Sequence, residues 1–263
     1  MSTATRSLVA LACLLSSGVA HSQAGKLRTV HVFVALADNQ HQGIIPVPVK
    51  LGNGDDAEHN LYWGSAYGVK AFFSRAKEWE RLQCSAKPKP EIIERCVFKF
   101  REGDVYLIAD AYRGLEIRRA ILDFFDSAAG DATDILSVPT PSGEVKLPIR
   151  GGASLVAYAG HDGLMDFQIS RFPKQKNSTH RDAIILACIS KRFFEEGLRA
   201  SGAYPLVWTT GLMAPEAYTL KSALDGWIPG ENNRQIRDRA ADAYDHYQHC
   251  GSKAARRLLV TGW

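Results

Sequence analysis

Val30-His-Val-Phe-Val-Ala-Leu-Ala37 is a β-branched, apolar run of strand length, and a polar, Gly- and Pro-containing loop follows it from Asp38 to about His59. A strand with one wet face alternates apolar and polar residues. A run without that alternation reads as a strand covered on both faces, the position that strands take in a helix-sandwiched parallel sheet. Outward from this run, the same kind of segment returns at Ser154–Ala159, Ala183–Ala187 and Pro205–Thr209, with further strands expected at Glu94–Phe100 and Asp104–Ala109. The last two can pair through Arg101-Glu-Gly103.

Longer amphipathic stretches separate these runs. Tyr62–Leu82 reads as a helix with Tyr67, Phe72 and Trp79 among its apolar positions. Leu115–Ala129 reads as another, turning Leu115, Ile117, Ile121, Leu122 and Phe125 inward. Helices are also predicted over Ser190–Ala200, Ala214–Gly226 and Asn232–Gln248. Strands alternating with helices of this length imply crossover connections, hence an α/β fold on a mostly parallel sheet with helices on both faces. In such sheets ligands gather at the carboxyl ends of the strands.

The N-terminus reads as an address. Arg6 precedes the apolar run Leu8–Leu15, Ser16-Ser-Gly18 breaks it, and Ala20-His-Ser22 offers small residues for cleavage. That order of features is a signal peptide over residues 1–22, with Cys13 inside it, and the apolar run is far short of a membrane span. The expectation is an exported protein, periplasmic or secreted, whose residues 23–263 form one domain. Formal net charge is +4 for the whole chain, and only Arg6 would leave with the leader. So small an excess, spread along the sequence, argues against a nucleic-acid surface or a membrane-binding basic patch. Cys84, Cys96, Cys188 and Cys250 remain, and export permits disulfides. Cys84 and Cys96 flank Ser85-Ala-Lys-Pro-Lys-Pro90 and suit a local bridge.

Two strand ends can carry chemistry. Ser154-Leu-Val-Ala-Tyr-Ala-Gly-His-Asp-Gly163 runs from a buried strand into a histidine between glycines, and Ala183-Ile-Ile-Leu-Ala-Cys188 ends a buried strand on a cysteine before a helix. Neighbouring parallel strands ending at one edge would bring His161 and Cys188 together. A thiol at a helix start has its thiolate favoured by the helix dipole, and an imidazole can shuttle its proton. A small buried cysteine and a turn histidine are the plainer alternative.

The pattern resembles the caspase-like (caspase–haemoglobinase, clan CD) cysteine peptidases. Leu155–Ala159, His161 with Gly160 and Gly163, and Ile184-Ile-Leu-Ala-Cys188 carry the likeness. Val207–Tyr218 is similar to the strand and helix that follow the cysteine in CHAT-like members. The resemblance implies a three-layer sandwich and an exported endopeptidase with a Cys188–His161 dyad, acting on protein or peptide substrates without a cofactor. Backbone N–H groups of Gly163 and Cys188 would hold the oxyanion. Asp38, in the loop after the first strand, would line the pocket for a basic residue before the cleaved bond. Asp162 departs from the family, which has His and Gly contiguous, and the spacer to Cys188 is short.

Weaker candidates are Asp38–His41, read with somewhat more weight as a turn cluster, and Asp110. His41, His59 and Asp38 match no familiar metal spacing. Gly52-Asn-Gly54 is too short for a phosphate loop. His246, His249 and Cys250 read as surface residues, and Glu216 as a helix-start carboxylate. A caspase-like binding domain without turnover, or a strand-end hydrolase of non-peptide substrates, are the other functions that this sequence accommodates.

Overall fold

The computed structural model describes residues 27–141 and 143–263, so the expected leader lies outside the described residues. The described residues form ten strands: β1 (Arg28–Ala35), β2 (Trp79–Lys89), β3 (Ile92–Phe100), β4 (Val105–Tyr112), β5 (Asp134–Thr140), β6 (Gly143–Ile149), β7 (Leu155–Ala159), β8 (Asp182–Leu186), β9 (Tyr204–Thr209) and β10 (Leu259–Val260). The α-helices are α1 (Val69–Arg75), α2 (Ile117–Ala128), α3 (Ser190–Ser201), α4 (Ala217–Trp227), α5 (Asn233–Gln248) and α6 (Ser252–Leu258).

Eight strands form one sheet in the order β10-β9-β8-β7-β1-β4-β3-β2. The five in the middle, β9, β8, β7, β1 and β4, run parallel. β10 and the β2–β3 pair extend the two edges antiparallel. β1 lies near the centre, and Val30, Val32, Phe33, Val34 and Ala35 are fully buried, as its unbroken apolar run requires. Its two faces serve two cores. Val30, Val32 and Val34 pack with α1, α4 and α5, whereas Phe33 and Ala35 pack with α2 and α3. The result is an α/β sandwich with helices on both faces of a mostly parallel sheet.

Beyond α6 and β10, which the sequence reading did not include, two segments differ from expectation. Tyr62–Leu82 is not one helix. Turns run to Gly68, α1 covers only Val69–Arg75, and the chain is already in β2 at Trp79. Gly64 explains part of this, because a Cβ there would collide with the Glu58 carbonyl oxygen. Pairing explains the rest. Trp79 lies opposite Phe100 with rings 5.4 Å apart, and the Cys84–Cys96 disulfide joins directly opposed residues of β2 and β3. Tertiary pairing has outweighed the helix-forming Glu-Arg-Leu run. The second difference is the β5–β6 hairpin, which places Val138, Leu147 and Ile149 against Val97, Tyr106 and Ile108 of the main sheet. Leu115, expected in the core, is exposed in the short turn that leads into α2.

Sheet order positions the site. From β1 the parallel strands proceed to β4 on one side, then cross back to β7, β8 and β9 on the other. The crevice beyond the carboxyl ends of β1 and β7 is therefore the topological switch point, where open α/β sheets bind ligands. Among the described residues, no helix is long and apolar enough to cross a membrane.

Candidate active site

Strand register brings the two expected residues together. β7 and β8 pair in parallel with Ala159 opposite Leu186, so His161 and Cys188 each fall two residues beyond matched strand ends. The Gly160 N–H donates to the Leu186 carbonyl at 3.2 Å and stitches these ends together. Gly160 has φ +152°, and a Cβ there would meet the Ala35 carbonyl oxygen of β1 at 2.8 Å. Only glycine lets the chain leave β7 so close to its neighbour. His161 and Cys188 line one cleft of about 220 Å³, together with Ile44, Ile45, Met165, Leu212, Met213 and Pro215, and with Tyr62 and Gly160 at its walls.

His161 is held from two sides. Its carbonyl accepts the Tyr158 hydroxyl at 2.7 Å and the Gly163 N–H at 3.1 Å, and its Nε2 lies 2.7 Å from Asp166 Oδ2. The same Asp166 oxygen accepts the Gly43 N–H at 2.9 Å, anchoring the loop after β1. An imidazole bound to a carboxylate at Nε2 has Nδ1 left for a proton from a thiol. This Cys–His–Asp arrangement has the logic of a catalytic triad: nucleophile, base, and an orienting acid. Asp166 went unnoticed in the sequence. Its signal was position, five residues beyond the histidine, at the end of the short turn Gly163–Met165.

The turn that carries Cys188 is equally fixed. Ser190 Oγ donates to the Ile185 carbonyl at 3.1 Å, Ser190 N–H donates to Thr209 Oγ1 at 3.1 Å, and the Thr209 hydroxyl bonds to the Ala187 carbonyl. Ile189 caps α3 with φ +51°, a left-handed conformation that costs a β-branched residue about 1–3 kcal/mol. Its N–H donates to the Gly211 carbonyl at 2.8 Å. Cys188 thus sits just before the helix start. Its Sγ donates to the Met213 carbonyl at 3.6 Å and accepts the Met213 N–H at 3.4 Å. Burial pushes the Cys188 thiol up, the Met213 N–H works against that, and the Asp162 charge adds to it. The resting thiol is therefore protonated, and no hydrogen bond joins it to His161.

Asp162, the residue that separates histidine from glycine, is fully buried. Its Oδ1 accepts the Leu164 N–H at 3.0 Å, while its Oδ2 has no partner among the described residues. Burial, with Asp166 nearby, pushes its carboxyl up to about 7. A carboxyl raised to this range exchanges its proton near neutral pH, a recurrent feature of active sites.

Gly163 and Asp38 have hydrogen-bond partners of their own. Gly163 N–H is engaged by the His161 carbonyl, which leaves Cys188 N–H as the donor without an acceptor among the described residues. Asp38 is not in the Cys188–His161 cleft. Its Oδ1 accepts the N–H groups of Gln40 and His41 at 2.9 and 3.2 Å, and its Oδ2 pairs with His41 Nδ1 at 2.8 Å. It lines a neighbouring hollow with Gly52, Asn53 and Gly54. Both Asp38 carboxylate oxygens thus bond within their own loop, the geometry of a turn cluster.

Asp110 belongs to a different arrangement, deep in the sandwich. Arg95 grips it with two bonds of 2.6 and 2.7 Å, and His31 Nε2 lies 3.1 Å away. The Arg150 N–H donates to His31 Nδ1 at 2.9 Å, and the Arg150 guanidinium bonds to Asp123 at 2.8 Å. Asp123 also accepts the Tyr112 hydroxyl at 2.7 Å. Burial opposes it, but the hydrogen bonds from Arg95 and His31 hold the Asp110 carboxyl far below the usual carboxylate range. The cluster ties β1, β3, β4, α2 and the turn after β6 together and lies away from the cleft. His41 pairs with Asp38 and His59 with Asp56, so these side chains form no shared cation site. The described residues do group Cys84, Glu94 and Cys96, but the two sulfurs are bonded to each other. Compared with known proteins, the chain matches no family model, no curated protein and no solved structure.

Proposed function

We propose that this protein is an exported cysteine endopeptidase whose nucleophile is Cys188, whose base is His161 and whose orienting acid is Asp166. One observation carries the reading: a cysteine and a carboxylate-bound histidine share one cleft at the carboxyl edge of a parallel sheet. The likeness of Leu155–Cys188 to caspase-like peptidases supports it, and so does the Cys84–Cys96 bridge, which suits an oxidising compartment.

In the mechanism, the substrate carbonyl displaces the Met213 peptide from the thiol. His161 Nδ1 takes the thiol proton as Sγ bonds to the carbonyl carbon. The resulting oxyanion is received by the Cys188 N–H. The imidazolium, held by Asp166, then protonates the leaving amine as the C–N bond breaks. Water hydrolyses the thioester through the same histidine and frees the thiol. No cofactor enters the scheme.

A non-catalytic binding domain is the second reading, favoured by the engagement of the thiol with Met213 on both its donor and acceptor sides. A peptidyl acyloxymethyl ketone separates the two. Covalent labelling confined to Cys188, abolished by His161→Ala, is the result expected of the peptidase. Equal labelling of Cys188 and the exposed Cys250, or labelling indifferent to His161, is the result expected of the binding domain.

A further inference from the structure

The described surface leaves eight large hydrophobic side chains exposed, and three of them rim the Cys188–His161 cleft: Ile45 at 84%, Leu212 at 65% and Met165 at 44%. They come from three separate segments, the loops that follow β1, β9 and β7. Scattered single hydrophobics on a surface need no explanation, but convergence from three loops on one opening does. Ile44, Met213 and Pro215 continue the apolar lining inward. Apart from His161, none of the cleft residues is a carboxylate or a fixed cation. Asp166 faces the imidazole and the Gly43 N–H, and Asp38 is occupied by its own turn.

We infer that the cleft selects substrates with a bulky apolar side chain, leucine- or phenylalanine-like, next to the bond that Cys188 attacks. The size agrees. A cavity of about 150 Å³ accepts a benzene ring, so about 220 Å³ holds one large side chain and little more. Chemistry agrees as well. A guanidinium or carboxylate entering this lining would lose its hydration and find no carboxylate, lysine or arginine among the lining residues, whereas an apolar group would cover Ile45, Met165 and Leu212 from water. Exposed and attached to loop backbone, Leu212 and Ile45 set specificity without belonging to the chemical machinery.

This inference rests on reading the cleft as the substrate site, but its test does not require turnover. Chloroacetamides that differ only in their amide substituent (isopentyl, phenethyl, guanidinobutyl, carboxymethyl) are reacted with the folded, full-length protein. Alkylation at each cysteine is then quantified by peptide mass spectrometry. Cys250, exposed and on a different part of the chain, reports the intrinsic reactivity of each reagent. The expected result is that the isopentyl and phenethyl reagents modify Cys188 at least tenfold faster than the two charged ones, relative to Cys250. Leu212→Asp should erase most of that preference while leaving Cys250 and thermal stability unchanged. A Cys188 profile that parallels Cys250, a preference for the guanidinium reagent, or failure of the apolar reagents to reach Cys188 would overturn the inference. Apolar-selective alkylation without cleavage of any peptide would leave the inference standing and remove the peptidase reading instead.

Discussion

Asp162→Asn should change how stability depends on pH, and the sign follows from the burial of the group. Asp162 is fully enclosed, one oxygen accepts the Leu164 N–H, and the other has no partner among the described residues. Its carboxyl titrates near 7 in the folded chain, against an ordinary 3.8. Between these values the folded state holds a proton that the unfolded state has released, so stability falls as pH rises across the interval. At about 1.36 kcal/mol per pH unit, the folded state loses roughly 4 kcal/mol from this one group. Below about 4 both states are protonated, and the contribution is complete. Asparagine keeps the acceptor for Leu164, carries no charge, and has no such loss. Urea unfolding of both proteins from pH 4 to pH 8 measures the difference. The expected outcome is near-equality at pH 4, with the variant becoming progressively more stable up to about pH 7 and the gap level beyond. A gap that is constant with pH, or that opens on acidification, refutes the assignment of a buried neutral acid beside the thiol.

Asp166→Asn should leave thermal stability close to that of the parent and lower kcat by about 10²-fold or more, because His161 loses its orienting carboxylate; steady-state kinetics on a peptide substrate read this directly. Asp110→Ala strands Arg95 as a buried, unpaired cation and should cost about 3–5 kcal/mol in urea unfolding, and a change below 1 kcal/mol would show that the cluster is not cooperative. Reducing the Cys84–Cys96 bridge, which closes a loop of sequence separation 12, should cost about 2–3 kcal/mol, measured by melts with and without reductant. Thiol counting on unfolded, unreduced protein should find Cys188 and Cys250 free and the other two protected.

The sequence disclosed most where local pattern and tertiary burial ask for the same residues. β1, β7, β8 and β9 are continuous apolar runs because helices cover both faces, and such runs survive in the sequence as strands without alternation. His161 and Cys188 were legible for a related reason, since strand ends in a parallel sheet share an edge. β2 was not legible. As an edge strand paired on one side it is mostly polar, and its place is fixed by the partner β3 and the disulfide, neither of which leaves a periodic trace. The β5–β6 hairpin did leave one, alternating Leu136 and Val138, then Val145, Leu147 and Ile149, around Pro141-Ser-Gly143; Pro139 and Pro148 obscured it. The placing of Asp38 outside the cleft was not legible, because it depends on the loop after β1 folding back so that both carboxylate oxygens bond to Gln40 and His41. Asp166 meets the His161 ring, and Asp162 is enclosed, only through the folding of the loop after β7, which spacing alone does not encode.

Cleavage of a peptide mixture by the parent protein and by Cys188→Ala, prepared and assayed side by side, tests the central claim most directly. Cys188 is half-buried and lines the open cleft, so alanine should fold with a melting temperature close to the parent's, and circular dichroism checks this. The account predicts cleavage by the parent and none by the variant. Turnover that survives Cys188→Ala, or a folded parent that cleaves nothing in a mixture containing apolar, basic and acidic residues, contradicts it.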